Sequence, residues 1–517
     1  PNFAADDCLR IAKVYSAKGY PSASKVVGSS SGNRFLSVGG TDSRGMPDVL
    51  FDIEKPVVDL IYTIQQGKPH RLRDVVLQGH LGTEDRVIRR QIELEPGDTV
   101  DEELAVLSWR RLMGLNYFMD AGNQPSVDWY WRSVEDNPEL LDLVFDVQDK
   151  GSTNRFRFGG AWNSETGPAL MISLTKSNVD ITDLPSSFSN TFSDLFDNRA
   201  FHGSGQSLRM MASPGARYST YSLSFTEPDL FEEHINRFGL QVSASKRIRF
   251  LRTHDESRGS LGFTLNRRFG RYFSLFGGPT IAKVTLSDLS VGAPVSLSSY
   301  EGTNEANTFT LGARYNTVAD PFSPVDGEDI SLRISQTGSF MSGDWDFIKS
   351  TLRVRKHFPL WETEDSRSWI LSTKLSVSKA WLTGDTTELP YSEGFFYGGE
   401  RSMRGFDYRG IDLTNGYATS GRAGWNSSVE LGFPLYGTRQ RESVGMMENL
   451  RGAAFLDFGA VGDDFGELIP VRASTGLVFQ LRLPAMAQLP LSFIFAKPIR
   501  IEDNDRTSTF SFTIGNF

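Results

Sequence analysis

The chain has 517 residues, of which 39% are hydrophobic and 23% charged, with a net charge of −9 and a mean hydropathy of −0.30. An acidic balance argues against a nucleic-acid binder, whose phosphate contacts need a basic surface. No uncharged apolar run of about 18 or more residues occurs, which excludes a helical membrane protein. A membrane β-barrel stays open, because strands that alternate lipid-facing and lumen-facing residues average to a mildly polar composition. The single cysteine, Cys8, cannot form an internal disulfide and reads as a small buried apolar residue. The chain opens at Pro1 with no signal-like segment, so a removed targeting peptide or missing upstream sequence is expected.

Up to about Lys150 the periodicity changes between helical and strand-like. From Thr153 onward it is almost only short alternating runs broken by Gly, Pro, Asp, Asn and Ser, which places a boundary near Asp149–Ser152. Two α+β units precede it, 1–72 and 73–150. In the first, a helix through Leu9, Ala12, Val14 and Tyr15 ends at Gly19 and is followed by GYPSASKV and a closing strand VVDLIYTIQQG. The second opens with a strand at Asp74–Leu77 and a turn at Gly79–Gly82. Thr83 is the expected cap of a helix whose Val87, Ile88, Gln91 and Ile92 share a face. Thr99-Val100-Asp101-Glu102 has capping-box spacing, with Asp101, Glu102 and Glu103 at the positive end of the dipole and Leu104, Leu107, Leu112 and Leu115 as the buried stripe. Strands at Ser126–Trp131 and Leu141–Val147 close the unit.

The remainder, 151–517, divided over sixteen strands, leaves about 23 residues for each strand with its connection, which suits tilted strands of about 9–11 residues. Representative alternations are Phe156/Phe158 against Arg155/Arg157, Tyr221/Leu223/Phe225 against Ser222/Ser224, and Phe510/Phe512/Ile514 against Thr509/Ser511/Thr513. One face is apolar and the other small or polar. A soluble sandwich with its apolar face inward shows the same pattern, so periodicity leaves both architectures open.

Catalytic signals are weak. Gly28-Ser29-Ser30-Ser31-Gly32 satisfies G-x-S-x-G but no helix-like segment follows it, and the run reads as a Ser-rich loop. Neither His254-Asp255 nor Glu232-Glu233-His234 has the helical i, i+4 histidine pair of a zinc site. The expectation is a non-enzyme without cofactor, nucleotide or metal.

The order β-α-α-β-β in 73–150, with the wording VVLQGHLGTEDRVIRRQIELEPGDTVDEELAVLSWRRLMGLNYF, resembles a polypeptide-transport-associated (POTRA) domain, and 1–72 resembles the rear half of another. The segment Gly398-Gly399-Glu400-Arg401-Ser402-Met403-Arg404-Gly405-Phe406 resembles the sixth-extracellular-loop signature of the BamA/TamA superfamily of outer-membrane-protein assembly factors and transporters. Met403 departs from the usual Val or Ile. The wordings SFTEPDLF, DPFSPVDG, VELGFPL, AFLDFGAVGD and the ending FSFTIGNF are similar to the same family, so the resemblance covers nearly the whole chain. It implies an all-β membrane barrel of about sixteen antiparallel strands with N-terminal α+β POTRA domains. It further implies an outer membrane of Gram-negative type, less so an organelle's, with the POTRA domains in the periplasm. The implied partners are the bilayer, unfolded outer-membrane-protein clients and accessory periplasmic lipoproteins or chaperones, without nucleic acid. The implied activity is BamA-like insertion of client barrels. A two-partner-secretion or TamA-like transporter is the alternative within the superfamily; a porin or adhesin would have no reason for POTRA-like modules.

An arginine enclosed in a barrel lumen needs a carboxylate or several acceptors. Period two puts Asp457 on one face with Phe455 and Gly459, opposite Ala454, Leu456 and Phe458, and puts Glu430 opposite Val429, Leu431 and Phe433. The loop motif Met403, Arg404, Gly405 and Phe406 is therefore expected to fold inward, with Arg404 on Asp457, Glu430 nearby, and Gly405 close to the wall, a pairing the resemblance also implies. The first and last strands must form the only seam between chain ends. Arg155, Phe156, Arg157, Phe158, Gly159 and Gly160 are expected on one side of it, and Phe510, Phe512, Ile514, Gly515 and Phe517 on the other, with closure near Arg155–Trp162. A weak seam could open and offer unpaired backbone to an incoming strand, the lateral-gate role the resemblance implies. Val127, Trp129 and Trp131 are the expected POTRA edge strand for extended clients.

Overall fold

The computed structural model describes the chain apart from residues 1, 28–34, 41–44, 52–56, 121–123, 150–152, 232–236, 319–323, 364–366, 440–445, 483–489 and 515–517. The G-x-S-x-G run, Glu232-Glu233-His234, Gly515 and Phe517 lie outside the described residues. The chain divides into two compact units, one of Pro1–Arg155 with Lys176–Ser207, the other of Phe156–Thr175 with Leu208–Phe517.

In the N-terminal unit, Arg71–Gln78 runs parallel to Leu140–Val147, which pairs antiparallel with Val127–Ser133. Two helices, Asp85–Arg89 and Glu102–Leu115, cover the sheet, giving β-α-α-β-β. Val87, Ile88, Leu112, Trp131, Leu143 and Phe145 are wholly enclosed in its core. The second helix is capped by Asp101, whose carboxylate accepts from Glu103 and Leu104 N–H, two positions later than a Thr99 box would require. Thr83 caps nothing. Its hydroxyl accepts from Asn178 Nδ2 at 2.8 Å, and Asn178 Oδ1 receives Gly205 N–H. Such bonds tie 176–207 into this unit, although the sequence pattern continues the barrel there. The helix Asn2–Ser16 buries Cys8 with Leu36 and Val38, whereas Val14, expected inward, is exposed. The expected strand VVDLIYTIQQG is two short strands, Val58–Ile61 and Thr63–Gln65, in separate two-stranded sheets.

The second unit is a closed antiparallel barrel. Its strands are β1 (Asn154–Asn163), β2 (Gly167–Val179), β3 (Gln206–Ser213), β4 (Tyr218–Glu227), β5 (Phe238–Phe250), β6 (Asp255–Phe269) and β7 (Phe273–Ser287). Gly302–Glu305 and Thr308–Asn316 both pair with β7 and make one stave, β8. Then come β9 (Gly327–Thr337), β10 (Phe347–Glu362), β11 (Ser368–Leu382), β12 (Ala423–Arg439), β13 (Met446–Gly462), β14 (Arg472–Arg482), β15 (Pro490–Arg500) and β16 (Phe510–Ile514). Burial decides between the two architectures that periodicity left open: Val429 and Leu456 are 41% and 42% exposed, whereas Asp457 between the same strands is 2% exposed. The apolar face therefore points outward and the polar face inward, the inverse of a soluble sandwich and the arrangement a bilayer requires. Among the described residues no helix is long and apolar enough to cross a membrane.

Candidate functional site: the lumen loop and the seam

The loop between β11 and β12 folds into the barrel and is fixed to the wall at Arg404. Its Nε and Nη2 donate to the two carboxylate oxygens of Asp457 at 2.8 and 2.7 Å, and its Nη1 to Glu430 Oε2 at 2.6 Å. Ser428 Oγ accepts from Nη2 at 2.9 Å and donates to Asp457 Oδ1 at 2.6 Å. The backbone joins in: Arg404 N–H also reaches Asp457 and its carbonyl accepts from Ser474 Oγ. The ring of Phe455 lies 3.5 Å beneath the guanidinium carbon. Burial opposes the charge of Arg404, but the hydrogen bonds and charges of Asp457 and Glu430 outweigh it and raise the guanidinium pKa.

Small residues let this fit close. Gly405 has φ of +91°, and a Cβ there would lie 3.2 Å from Ser474 Cβ and 3.4 Å from Ala496 Cβ, so both conformation and space call for glycine. A Cβ on Gly459 would stand 2.6 Å from Met403 Sδ. That glycine accommodates the Met403 thioether. Met403 and Phe406 are buried with Tyr397, Ile411 and Val461.

Further anchors hold the same loop to other strands. Glu393 is paired with Arg258 on β6 and Lys349 on β10. Arg409 donates to Glu256 on β6 at 3.0 Å and lies 4.0 Å over Phe396, while Glu256 also meets His254, which is stacked on Tyr417. Asp505, in the connection before β16, receives Arg472 and the N–H of Asp412. His254 is thus part of a packed cluster. Among the described residues no group of three His, Cys, Asp or Glu side chains could hold a metal ion.

The seam is the contrasting part. Described register pairs between β16 and β1 are Thr513↔Asn163 and Ile514↔Trp162, extended by Ser164 N–H to Phe512 O at 3.1 Å and Phe512 N–H to Ser164 Oγ at 2.9 Å. Among the described residues, closure includes Trp162–Ser164. Trp162 belongs to the expected stretch Arg155–Trp162; within that stretch Phe156 and Phe158 point outward and exposed, and Arg155 donates to the Asn116 carbonyl. On the other side Phe512 packs edge-on to Trp162 and Phe510 against Phe495.

A carboxylate of the loop spans the seam. Glu400 Oε2 accepts from Asn163 Nδ2 on β1 at 2.8 Å and from Thr513 Oγ1 on β16, while Glu400 N–H donates to Glu165 in the β1–β2 turn. Burial first, and the neighbouring charge of Glu400 second, push the Glu165 carboxyl up to about 7 against the lowering effect of that N–H.

The family model described as the Omp85 superfamily domain matches residues 200–517. The chain belongs to the Omp85 superfamily. The outer membrane protein assembly factor BamA of Neisseria meningitidis serogroup B is 21% identical over 530 residues, covering 93% of this chain and 61% of that protein. That of Nitratidesulfovibrio vulgaris is 21% identical over 472 residues, 90% of this chain and 53% of that protein. The chain thus spans little more than half the length of these relatives. Among solved structures, BamA from Haemophilus ducreyi lacking POTRA domains 1–3 matches all of this chain and 93% of that one, with a TM-score of 0.62 at 19% identity. CdiB from Escherichia coli matches all of this chain and 84% of that one at 0.54 and 12%. These likenesses establish the fold of this outer-membrane Omp85 barrel.

Of the residues singled out from sequence, the structure brings Met403, Arg404, Gly405, Phe406, Glu430, Phe455, Asp457 and Gly459 into one site. Val127, Trp129 and Trp131 turn their side chains into the core of the N-terminal unit, and Val26–Val27 pairs in parallel with Trp131 and Arg132 on that edge. The strand is therefore a partly covered edge. Sequence reasoning gave no role to Ser428, Ser474, Glu165, Glu400 or the Glu393 and Arg409 anchors. Ser428 carried a usable signal, since it shares the inward face of Glu430 two residues away.

Proposed function

We propose that this chain is the membrane-embedded part of a BamA-like assembly factor that inserts client outer-membrane barrels through the seam between β1 and β16. The observation that carries this reading is that the first and last strands of the closed barrel meet at one seam, where Thr513↔Asn163 and Ile514↔Trp162 pair and the loop carboxylate Glu400 bonds to both strands. Separated strands at such a seam present free backbone donors and acceptors, and a client strand in lipid gains most by pairing with them. Insertion of this kind needs no cofactor or nucleotide, because the client's own burial and hydrogen bonding in the bilayer supply the free energy. Arg404, Asp457 and Glu430 hold the loop in the lumen so that the barrel keeps its shape while the seam works.

In this reading 73–150 is one complete POTRA domain, 1–72 part of a second, and 151–517 the barrel. The soluble modules lie in the periplasm, where clients and accessory lipoproteins or chaperones reach them. Client contact along Val127–Ser133 would use the backbone left beside Val26–Val27, because the tryptophans serve the core.

The test is a disulfide lock at the register pair Trp162→Cys and Ile514→Cys, in liposomes supplied with an unfolded client barrel. Antiparallel partners stand close enough for a disulfide. Insertion that stops when the lock forms and returns on reduction is the expected result; insertion indifferent to a complete lock overturns the seam mechanism. The likeness to CdiB keeps a polypeptide transporter as the second reading, and a single secreted client lost on depletion, with other barrels unaffected, would favour it.

A further inference from the structure

The outer wall of a membrane barrel is normally paved with apolar side chains, and one stretch of this wall is not. In β7 the outward row reads Leu275, Gly277, Pro279 and Ile281, and the ladder to β6 skips from Gly262↔Thr280 to Leu265↔Gly277. Gly278 has φ of +154° and approaches β6 so closely that a Cβ would lie 2.1 Å from the Phe263 carbonyl oxygen. Two glycines and a proline thus form a floor without bulky side chains. The walls are Phe263 and Leu265 on one side and Leu311 and Leu332 on the other, around a groove of about 780 Å³, within the size range of small-molecule sites.

At the end of the barrel where β1 begins, the groove meets an arginine. Arg267 shares the outward row of β6 with Phe263 and Leu265 and stands opposite Leu275 and Phe238. Its guanidinium carbon lies 4.5 Å from the Phe238 ring and 5.2 Å from the Phe269 ring, and its Nε is buried with no acceptor. Among the described residues no carboxylate pairs with it. A guanidinium on the lipid side of a barrel is costly unless an anion meets it, and its fork of donors matches a phosphate. The two aromatic faces fix its position, so that the cation is aimed rather than free to sweep the surface.

An apolar slot that ends at an arginine clamped between two aromatic rings, with no carboxylate among the described residues paired to it, is complementary to an amphiphile with a phosphate head and an acyl tail. We infer that the wall from β5 to β9 carries a specific glycerophospholipid site, with Arg267 on the phosphate and one acyl chain lying over Gly277, Gly278 and Pro279. The site rests on the membrane orientation given above, which puts the β6–β7 turn in the periplasmic leaflet and so makes a phospholipid its occupant. A lipid held there would set the bilayer level along the wall where β5 to β8 meet, and its binding is independent of the seam.

The experiment reconstitutes the full chain in nanodiscs of phosphatidylethanolamine and phosphatidylglycerol, with lipopolysaccharide as competitor, and counts retained lipids by native mass spectrometry after release into detergent. Arg267→Ala removes the headgroup contact and Ala313→Phe fills the slot from β8. The heat-modified gel mobility of each variant reports whether the barrel has folded. The expected result is one phospholipid retained by the parent, about ten- to hundredfold weaker retention by folded Arg267→Ala, as loss of a charge-assisted phosphate contact implies, and weakened retention by folded Ala313→Phe, whose ring occupies the acyl slot. Equal retention by parent and either folded variant, absence of retained phospholipid on the parent, or displacement by lipopolysaccharide overturns the site. No client enters the measurement, so failure here leaves the seam mechanism standing, whereas a barrel that will not reconstitute contradicts the membrane reading itself.

Discussion

The β12–β13 wall and the β1–β16 seam are made of the same kind of strand, yet they are held in opposite ways. The wall pairs from Ala423↔Gly462 to Arg439↔Met446, and its inner face supplies Ser428, Glu430 and Asp457 to a buried arginine. At the seam, where Thr513 pairs with Asn163 and Ile514 with Trp162, the loop supplies a carboxylate, Glu400, that bridges the two strands. The difference shows that stability in this barrel is distributed by side-chain chemistry as much as by backbone pairing. At the β12–β13 wall, polar groups of the strands lock a loop arginine in place; at the seam, a loop carboxylate bonds to both strands.

The largest expected effect breaks the strong side. Arg404→Ala leaves Asp457 buried without its cation, a loss of about 3–5 kcal/mol. Urea unfolding of the reconstituted barrel should show it, together with protease access to the loop. Arg404→Lys should recover only part, since an ammonium cannot reproduce the fork to both oxygens of Asp457. If Arg404→Ala unfolds at the parent midpoint, the wall is not anchored as described.

A smaller change should sharpen the weak side. Glu400→Ala removes acceptors from Asn163 and Thr513 and should loosen the seam by about 1–3 kcal/mol. The readout is hydrogen exchange at Trp162 and Ile514, with β12–β13 unchanged; equal effects on both regions would dissolve the contrast. Smaller again is the pH response of the same bridge. Glu165, facing Glu400, Arg401, Asp407 and Arg217, holds its proton up to about 7 when the seam is closed. Opening returns it to the ordinary carboxylate range, so the closed form binds more protons. Closure is then favoured below that pKa and weakens as pH rises through it. Protection of the seam amides, taken relative to their intrinsic exchange at each pH, should fall between about pH 5 and about pH 7, and Glu165→Gln should flatten that profile. The smallest effect is a control outside both regions: Asp101→Ala should cost the helix Glu102–Leu115 about 1 kcal/mol while barrel unfolding stays as it was.

What the sequence could disclose follows from the range of each signal. Strand periodicity operates within a few residues, so the inward positions of Asp457 and Glu430 were legible. The glycine at 405 was legible for the same reason, as part of a contiguous motif. Register between chain ends is not a local property, and period two is satisfied equally by shifts of two residues. The seam was accordingly placed only as a stretch, Arg155–Trp162, and the described pairs fall at its last residue, Trp162, and the next, Asn163. The pairing of Arg409 with Glu256 spans 153 residues, and that of Arg258 with Glu393 spans 135, with no motif joining the members. Thr83 and Thr99 illustrate the opposite failure: each had the right local chemistry for a cap, and tertiary contacts or the neighbouring Asp101 displaced it.

The lumen loop touches strands on both sides of itself in the chain: Glu393 and Arg409 reach back to β6 and β10, and Arg404 reaches forward to β12, β13 and β14. It is therefore a cross-brace between the early and late halves of the cylinder. A hoop held round only by its own clasp springs flat when unclasped, whereas a hoop with a strut across its bore can be slit and stay circular. The late half can also be laid against that strut as it folds, which shortens the search for partners that would otherwise lie far apart along the chain.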